Sequence, residues 1–395
     1  MNKTTQKERV ILKKQLLCGL AAFSLMAALP FLSVSGNISG LTDAAAKEVM
    51  LSQPPNITDR KGTSSESTAE AGDTMASSSE GTQDGSEPLA SSPENTSDTS
   101  DKTLSVADAF ITPLTDQEKG DGVFRILDTS TGEVVTVADK DFCYGAVAYE
   151  MPPSYEKEAL KAQCVACYTH FSRWRVRQRQ QPDPDLKGAD FQADLSRGEY
   201  YLDDAFLRKK WGSLYDSCHQ YLCEAVDECF GEVLREEDGS LLQVAYCALS
   251  SGTTERAEDI FGYASKHLQS VASPFDKAAP SYCTTVTHSC DELLKVLDEQ
   301  NKTTLHQLGD CQRTQAGSIL SLTVGEHTYT GEELRQKLGL RSANFTIKDT
   351  PEGWTLTVLG YGHGVGMSQY GANEMAKQGA GYREILCHYF SPVSG

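Results

Sequence analysis

The stretch SYEKEALKAQCVACYTHFSRWRVRQ, residues 154–178, constrains the fold of this 395-residue chain more than any other. Leu160, Cys164, Cys167, Phe171 and Trp174 recur at helical spacing, which predicts a helix over 154–178. Ala159, Ala162 and Ala166 lie on its other side, so the helix is expected to be buried around much of its circumference. Such a helix has to be wrapped by other elements. Glu156 and Glu158 suit the positive end of its dipole, and the basic RWRVRQRQQ at its far end reads as solvated.

The flanking sequence offers both kinds of wrapping. FRILDTSTGEVVTV (124–137) reads as a hairpin across a Ser-Thr-Gly turn. A second helix is predicted from Ala205 to Cys229, stopping at Gly231. GEVLREEDGSLLQVAYCALS then reads as a hairpin around Glu237, Asp238 and Gly239. Ser289 with Glu292, and Thr330 with Glu333, form capping-box pairs that open two shorter helices. Strands follow at 344–348 and 354–359, then a glycine-rich loop and a helix ending near Gly379. Helices and strands mix without regular βαβ alternation, so the fold class is α+β: a single mixed domain over 122–395.

The preceding residues are of another kind. Residues 1–15 form a basic tail, and the run LLCGLAAFSLMAALPFLSV (16–34) is long enough to cross a bilayer. It reads as a transmembrane anchor over 16–35 with the remainder exported, a cleaved signal peptide being the alternative. Cys18 precedes most of the apolar run and is poorly placed for lipidation. Residues 36–121 read as a disordered acidic tether, because 62–101 hold no aromatic residue, no Lys and no Arg. The net charge is −19, and the absence of a basic patch in the exported part argues against nucleic acid as a partner. Eleven of the twelve cysteines fall in the exported domain, at irregular spacing. An odd, irregular set predicts mostly buried free thiols instead of a disulfide framework.

Three places could carry chemistry. The loop GYGHGVGMSQYGA (360–372) matches neither GxxxxGK[ST] nor GxGxxG, and Ser368 is one residue off a nucleophile elbow. His363 has no other metal-ligating side chain within six residues. The loop does expose main-chain groups near His363, Ser368, Gln369 and Tyr370, a surface suited to hydroxyl-rich ligands; a tight structural loop is the plainer reading. In CHQYLCEAVDEC (218–229), Cys218 and Cys229 share a face with Leu222 and Val226, while His219 and Cys223 share another, which disfavours a zinc site. Glu150 ends the β-prone run Ala146–Tyr149 and precedes Met151, Pro152 and Pro153. At a strand end beside apolar neighbours its pKa would rise, as a general acid near neutral pH requires. An ordinary exposed turn glutamate is the other reading.

Three ordered blocks together resemble one family. They are YGAVAYEMPPSYEKEALKAQCVACYTHF, YCALSSGTTERAEDIFGYASKHLQSVASPFD, and LRSANFTI with GYGHGVGMSQYGANEMAKQGAGYREILCHYF. The chain resembles the stage II sporulation protein D family, related to amidase enhancers, from about Gly122 to Ser391. The resemblance implies a membrane-anchored lytic transglycosylase that cuts peptidoglycan between N-acetylmuramic acid and N-acetylglucosamine during engulfment of the forespore. It implies Glu150 as catalytic acid and base, with Gln163, Ser250, Thr254, His363, Ser368, Gln369 and Tyr370 around a saccharide groove and no cofactor. It further implies peptide-stripped glycan strands as substrate, with a sporulation amidase and a polytopic membrane protein as partners. The site would lie outside the cytoplasm, in the septal intermembrane space. Non-catalytic glycan binding that stimulates an amidase is the alternative.

The sequence departs from the family pattern at several points. Cys247 stands where many relatives carry His, Ser251 replaces a Gly, Phe261 replaces a Trp, and Tyr168-Thr169-His170 replaces Arg-Thr-Tyr. GADFQADLSRGEYYL lacks the His and Cys that hold a structural zinc in some relatives, so no metal is expected.

Overall fold

The computed structural model describes residues 110–297 and 301–391. The expected basic tail, the anchor and the tether up to residue 109 lie outside the described residues. The last part of the expected tether is ordered. β1 (Ile111–Pro113) pairs with a later strand, and α1 (Asp116–Lys119) opens with a Thr115–Glu118 capping box. Phe110 and Ile111 are buried, and that burial offsets the entropy of ordering them.

β2 (Val123–Asp128) and β3 (Val134–Ala138) form the expected hairpin. α2 (Asp139–Glu150) follows, so the run before Glu150 is helical and the strand reading of 146–149 is corrected. Asp139 and Asp141 favour the N-terminus, and Phe142, Cys143, Ala146 and Val147 bury one helical face. Four apolar residues are too few to reveal a period; the upstream stripe decides.

After Met151–Pro153, α3 (Lys157–Gln180) runs through the centre. Every residue from Ala159 to Ser172 is buried, as the apolar circumference predicts. Its basic end is only partly solvated. Arg175 pairs with Asp139 at 2.6 Å, the two side chains being 0% and 2% exposed, and lies 4.3 Å from the Phe124 ring centre. Asp139 also accepts from the Tyr168 hydroxyl at 2.7 Å, so the buried charge is fully engaged.

β4 (Phe191–Ala193) adds in parallel to β2. The helix expected over 205–229 is two: α4 (Asp204–Trp211) and α5 (Tyr215–Cys229). Gly212, at φ +53°, breaks them apart. β5 (Glu232–Leu234) closes a short hairpin around 236–240 and pairs with β1, whereas β6 (Tyr246–Cys247) leaves that hairpin. α6 (Ala257–Phe261) follows.

Residues 283–359 build a second hydrophobic cluster beside the first. It holds β7 (Cys283–Ser289), α7 (Cys290–Val296), α8 (Lys302–Leu305), β8 (Leu308–Arg313), β9 (Ile319–Val324), β10 (His327–Thr330), α9 (Gly331–Lys337), β11 (Phe345–Thr350) and β12 (Gly353–Leu359). Its sheets are ordered β10-β9-β8 and β11-β12-β7. Both predicted capping boxes, Ser289–Glu292 and Thr330–Glu333, are present. Buried Glu255 ties the clusters together by accepting from Ser318 N at 3.3 Å, and Ser251 Oγ donates to Ala316 O at 3.1 Å.

The chain then returns to the first cluster. β13 (Met367–Ser368) pairs in parallel with β6, and α10 (Gln369–Lys377) and α11 (Tyr382–Phe390) pack on α3. The architecture is mixed, with helices and several small sheets. Among the described residues no helix is long and apolar enough to cross a membrane. All eleven described cysteines are free, and seven of them are buried.

Candidate active site

The glycine loop is pinned along one short segment. Tyr361 bridges Leu249, and Met367 and Ser368 pair with Tyr246 and Cys247. Gly366 has φ +75°, and a Cβ there would lie 2.0 Å from Ala245 O. Both the conformation and the close approach demand glycine. Gly366→Ala is expected to lower stability by about 2 kcal/mol or more, read as a fall in urea midpoint. A midpoint equal to wild type would show that the loop tolerates a different path.

The loop delivers Gln369, the first residue of α10, to Glu150, the last residue of α2. Gln369 Nε2 donates to Glu150 Oε2 at 3.0 Å and to Gln163 Oε1 at 3.4 Å. Gln163 Nε2 in turn donates to Cys167 Sγ at 3.2 Å, and Cys167 Sγ lies 3.5 Å from the Tyr246 hydroxyl. A polar chain thus runs from the carboxyl back into the core. It fixes which way the Gln369 amide faces, because Gln163 offers it an oxygen.

Glu150 remains partly exposed at the front of this chain. Burial pushes its pKa up to about 7, against the Gln369 hydrogen bond and the Lys210 charge, which both favour the anion. Lys210 Nζ donates to Ala148 O at 2.8 Å, in the last turn of α2. A carboxyl so placed holds its proton near neutrality and is still able to give it up, as a group acting first as acid and then as base must.

The other expected groove residues divide. Tyr370 is half-exposed and near enough to Tyr155 to act on it electrostatically. Gln163 is buried and positions Gln369 from behind. Ser250, Thr254 and Ser368 are 1%, 0% and 0% exposed, so their side chains do not reach a ligand, which corrects their placement on the groove surface. Ser250 and Ser368 both donate to Asp276, and Thr254 Oγ1 accepts from Val271 N at 2.9 Å. His363 is buried as well. Its Nδ1 accepts from Val365 N at 3.0 Å, its ring meets Phe261 edge-on, and burial pushes its pKa down to about 3. It is therefore a neutral loop brace, not a base.

Asp276, absent from the expected set, lies at the hub. It is 0% exposed and accepts from Ser250 N at 2.9 Å, from Ser250 Oγ, and from Ser368 Oγ at 2.8 Å. The SPFD tetrapeptide was its only local signal. The Cys/His stretch holds no metal-like cluster: Cys218 and Cys229 are buried on one face, while His219 and Cys223 meet each other on another. Among the described residues no group of three or more His, Cys, Asp or Glu is placed to hold a metal ion.

Removing the Gln369 amide should leave Glu150 less stabilised as an anion. Gln369→Ala is expected to move the alkaline limb of the kcat/KM profile for the reaction proposed below upward by about one pH unit. An unshifted limb with a lower plateau would mean that Gln369 only binds substrate.

Comparison with known proteins covers part of the same region. The family model described as Stage II sporulation protein matches residues 128–235, which include Glu150 and Gln163. Stage II sporulation protein D of Bacillus amyloliquefaciens is 35% identical over 267 residues, covering 67% of this chain and 76% of the relative. Stage II sporulation protein D of Bacillus subtilis is 32% identical over 262 residues, covering 66% and 75%. The amidase enhancer of Bacillus subtilis is more distant, at 24% over 303 residues, covering 62% and 39%. With both stage II sporulation protein D relatives above 30% identity and matched over about three quarters of their length, the chain belongs to the stage II sporulation protein D family.

Proposed function

We propose that this protein is a sporulation lytic transglycosylase that cuts peptidoglycan strands between N-acetylmuramic acid and N-acetylglucosamine. The observation that carries the reading is the partly exposed carboxyl of Glu150, with its pKa raised to about 7 and its orientation set by Gln369. Glycosidases that use water require two carboxylates flanking the bond. The charge that acts on Glu150 is the cation of Lys210, not a second carboxylate.

One carboxyl suffices when the nucleophile belongs to the substrate. Glu150 gives its proton to the glycosidic oxygen as the bond to C1 of the muramic residue breaks. The resulting carboxylate takes the proton of the same sugar's 6-hydroxyl, whose oxygen closes on C1 as a 1,6-anhydro ring. Glu150 ends protonated, and no water is consumed.

In this reading the protein acts during engulfment, in the septal space outside the cytoplasm, tethered by an anchor over 16–35. It takes strands already stripped of peptide by an amidase, with a polytopic membrane protein recruiting both. The distant likeness to an amidase enhancer supports a second reading, a glycan-binding protein that stimulates the amidase without cutting.

Mass spectrometry of peptide-free glycan strands incubated with the protein tests these readings. Ends one water lighter than reducing ends support the transglycosylase. Ordinary reducing ends point to hydrolysis, and retained binding without cleavage points to the enhancer reading.

A further inference from the structure

The second cluster brings a thiol, an imidazole and a carboxylate together outside the glycine loop. Cys290, the first residue of α7, places its Sγ 3.8 Å from His306 Nε2, just past α8. His306 Nδ1 lies 2.7 Å from Asp349 Oδ1 on β11. Three elements thus contribute one residue each, in the order thiol, imidazole, carboxylate. We propose that Cys290, His306 and Asp349 form a reactive-thiol site that takes small disulfides, separate from the glycan cleft.

The geometry decides where the protons sit. As a carboxylate Asp349 can only accept, so it selects the imidazole tautomer with hydrogen on Nδ1. Nε2 is then a bare acceptor facing the thiol. The thiol has one other acceptor in reach, Pro351 O at 3.5 Å, which is a far weaker base than imidazole. This is the arrangement that activates nucleophiles: a base within reach, held by a third group. An arrangement for holding metal would converge on one point, whereas here the imidazole separates the thiol from the carboxylate.

The charged groups beside the thiol are themselves paired. Lys302 on α8 acts on Cys290 and pairs with Asp291 at 2.6 Å, so one cation and one anion sit beside the thiol together. Glu292, also on α7, is occupied by the capping box with Ser289. His288 on β7 faces Leu338 O at 3.1 Å.

Access is through the imidazole side. Cys290 is only 4% exposed, while the His306 and Asp349 side chains are 31% and 29% exposed, so the thiol lies one hydrogen bond beneath the surface. The step is thiol–disulfide exchange. His306 Nε2 takes the Sγ proton, Sγ attacks one sulfur of the small disulfide, and the S–S bond breaks. The departing thiolate takes the proton from His306. One disulfide is consumed, one mixed disulfide forms, and no outside oxidant or reductant is needed.

Exposed Cys283 and Cys311 supply an internal standard. The full chain, reduced and freed of reductant, is treated with 2,2′-dithiodipyridine, and modification of each cysteine is followed by mass spectrometry at about pH 6, where a free thiol is mostly protonated. Cys290 is expected to react at least as fast as Cys283 and Cys311 despite its burial. His306→Gln should slow Cys290 by about tenfold or more, without changing the two exposed thiols. Asp349→Asn should slow it less. If Cys290 in the unaltered chain reacts more slowly than both standards from pH 6 to about pH 8.5, the site is an ordinary buried thiol and the proposal fails. Equal Cys290 rates in the His306→Gln variant and the unaltered chain overturn it too. Neither outcome depends on glycan cleavage.

Discussion

Glu150→Gln is expected to lower cleavage of peptide-free glycan strands by about 10²–10⁴-fold, the usual contribution of a general acid–base group. The amide matches the carboxyl in shape and keeps an oxygen for Gln369 Nε2, so the contact at 3.0 Å can persist. What it loses is a proton to give and an anion to take one back. The same change has a stability signature of opposite sign. Burial raises the Glu150 pKa from 4.5 to about 7, so the folded state binds a proton there that the unfolded state has released. The contribution of this carboxyl is therefore fully present below about pH 4.5 and is lost as pH rises through about 7. Glutamine carries no such penalty. Urea denaturation should find the variant more stable than the unaltered chain at about pH 8, by up to about 3 kcal/mol, and no such gain at about pH 4. Lost activity with that pH-dependent gain marks a tuned acid. Lost activity with equal stability at both pH values would mean that Glu150 is hydrated and its pKa ordinary.

The carboxyl was legible in the sequence, but its setting was not. Glu150 stood out because Met151, Pro152 and Pro153 end an apolar run ahead of a helix apolar on most sides, and both features are present. The run itself is helical, since the contacts that decide it come from Phe142 and Ala146 packing into the core and not from the run's own pattern. Hydroxyl residues in the loops were expected to face sugar, yet Ser250, Thr254 and Ser368 face inward. Small polar side chains near glycine have the same local pattern whether they bind a ligand or brace a turn. β8, with its sequence LGDCQR, shows no alternation, being exposed along nearly its whole length, and was therefore invisible. The paired capping boxes were readable because both partners lie within one turn.

Asp276→Ala is expected to be the most destabilising single change near the site, at about 3–5 kcal/mol, because it strands three buried donors. Those donors are Ser250 N, Ser250 Oγ and Ser368 Oγ, lying 26 and 92 residues away in the chain. That separation is why the SPFD tetrapeptide alone does not reveal the role of the residue. Burial raises the Asp276 pKa while the serine hydrogen bonds pull it down, so its charge is held at a desolvation cost. Asp276→Asn separates charge from shape: one oxygen still accepts, and a serine hydroxyl can turn to accept from the new amide. Its loss should be smaller than that of the alanine variant. Activity should follow the geometry. Ser368 caps α10 by accepting from Gly371 N at 3.1 Å, and the next residue is the Gln369 that orients Glu150. Loosening Ser368 therefore misplaces the amide that faces the acid, and cleavage per folded molecule should fall in both variants, more in alanine than in asparagine. Urea midpoints measured beside cleavage rates check this. Unchanged specific activity in the folded fraction of Asp276→Ala would confine Asp276 to stability and leave Gln369 to be aligned by Gln163 alone.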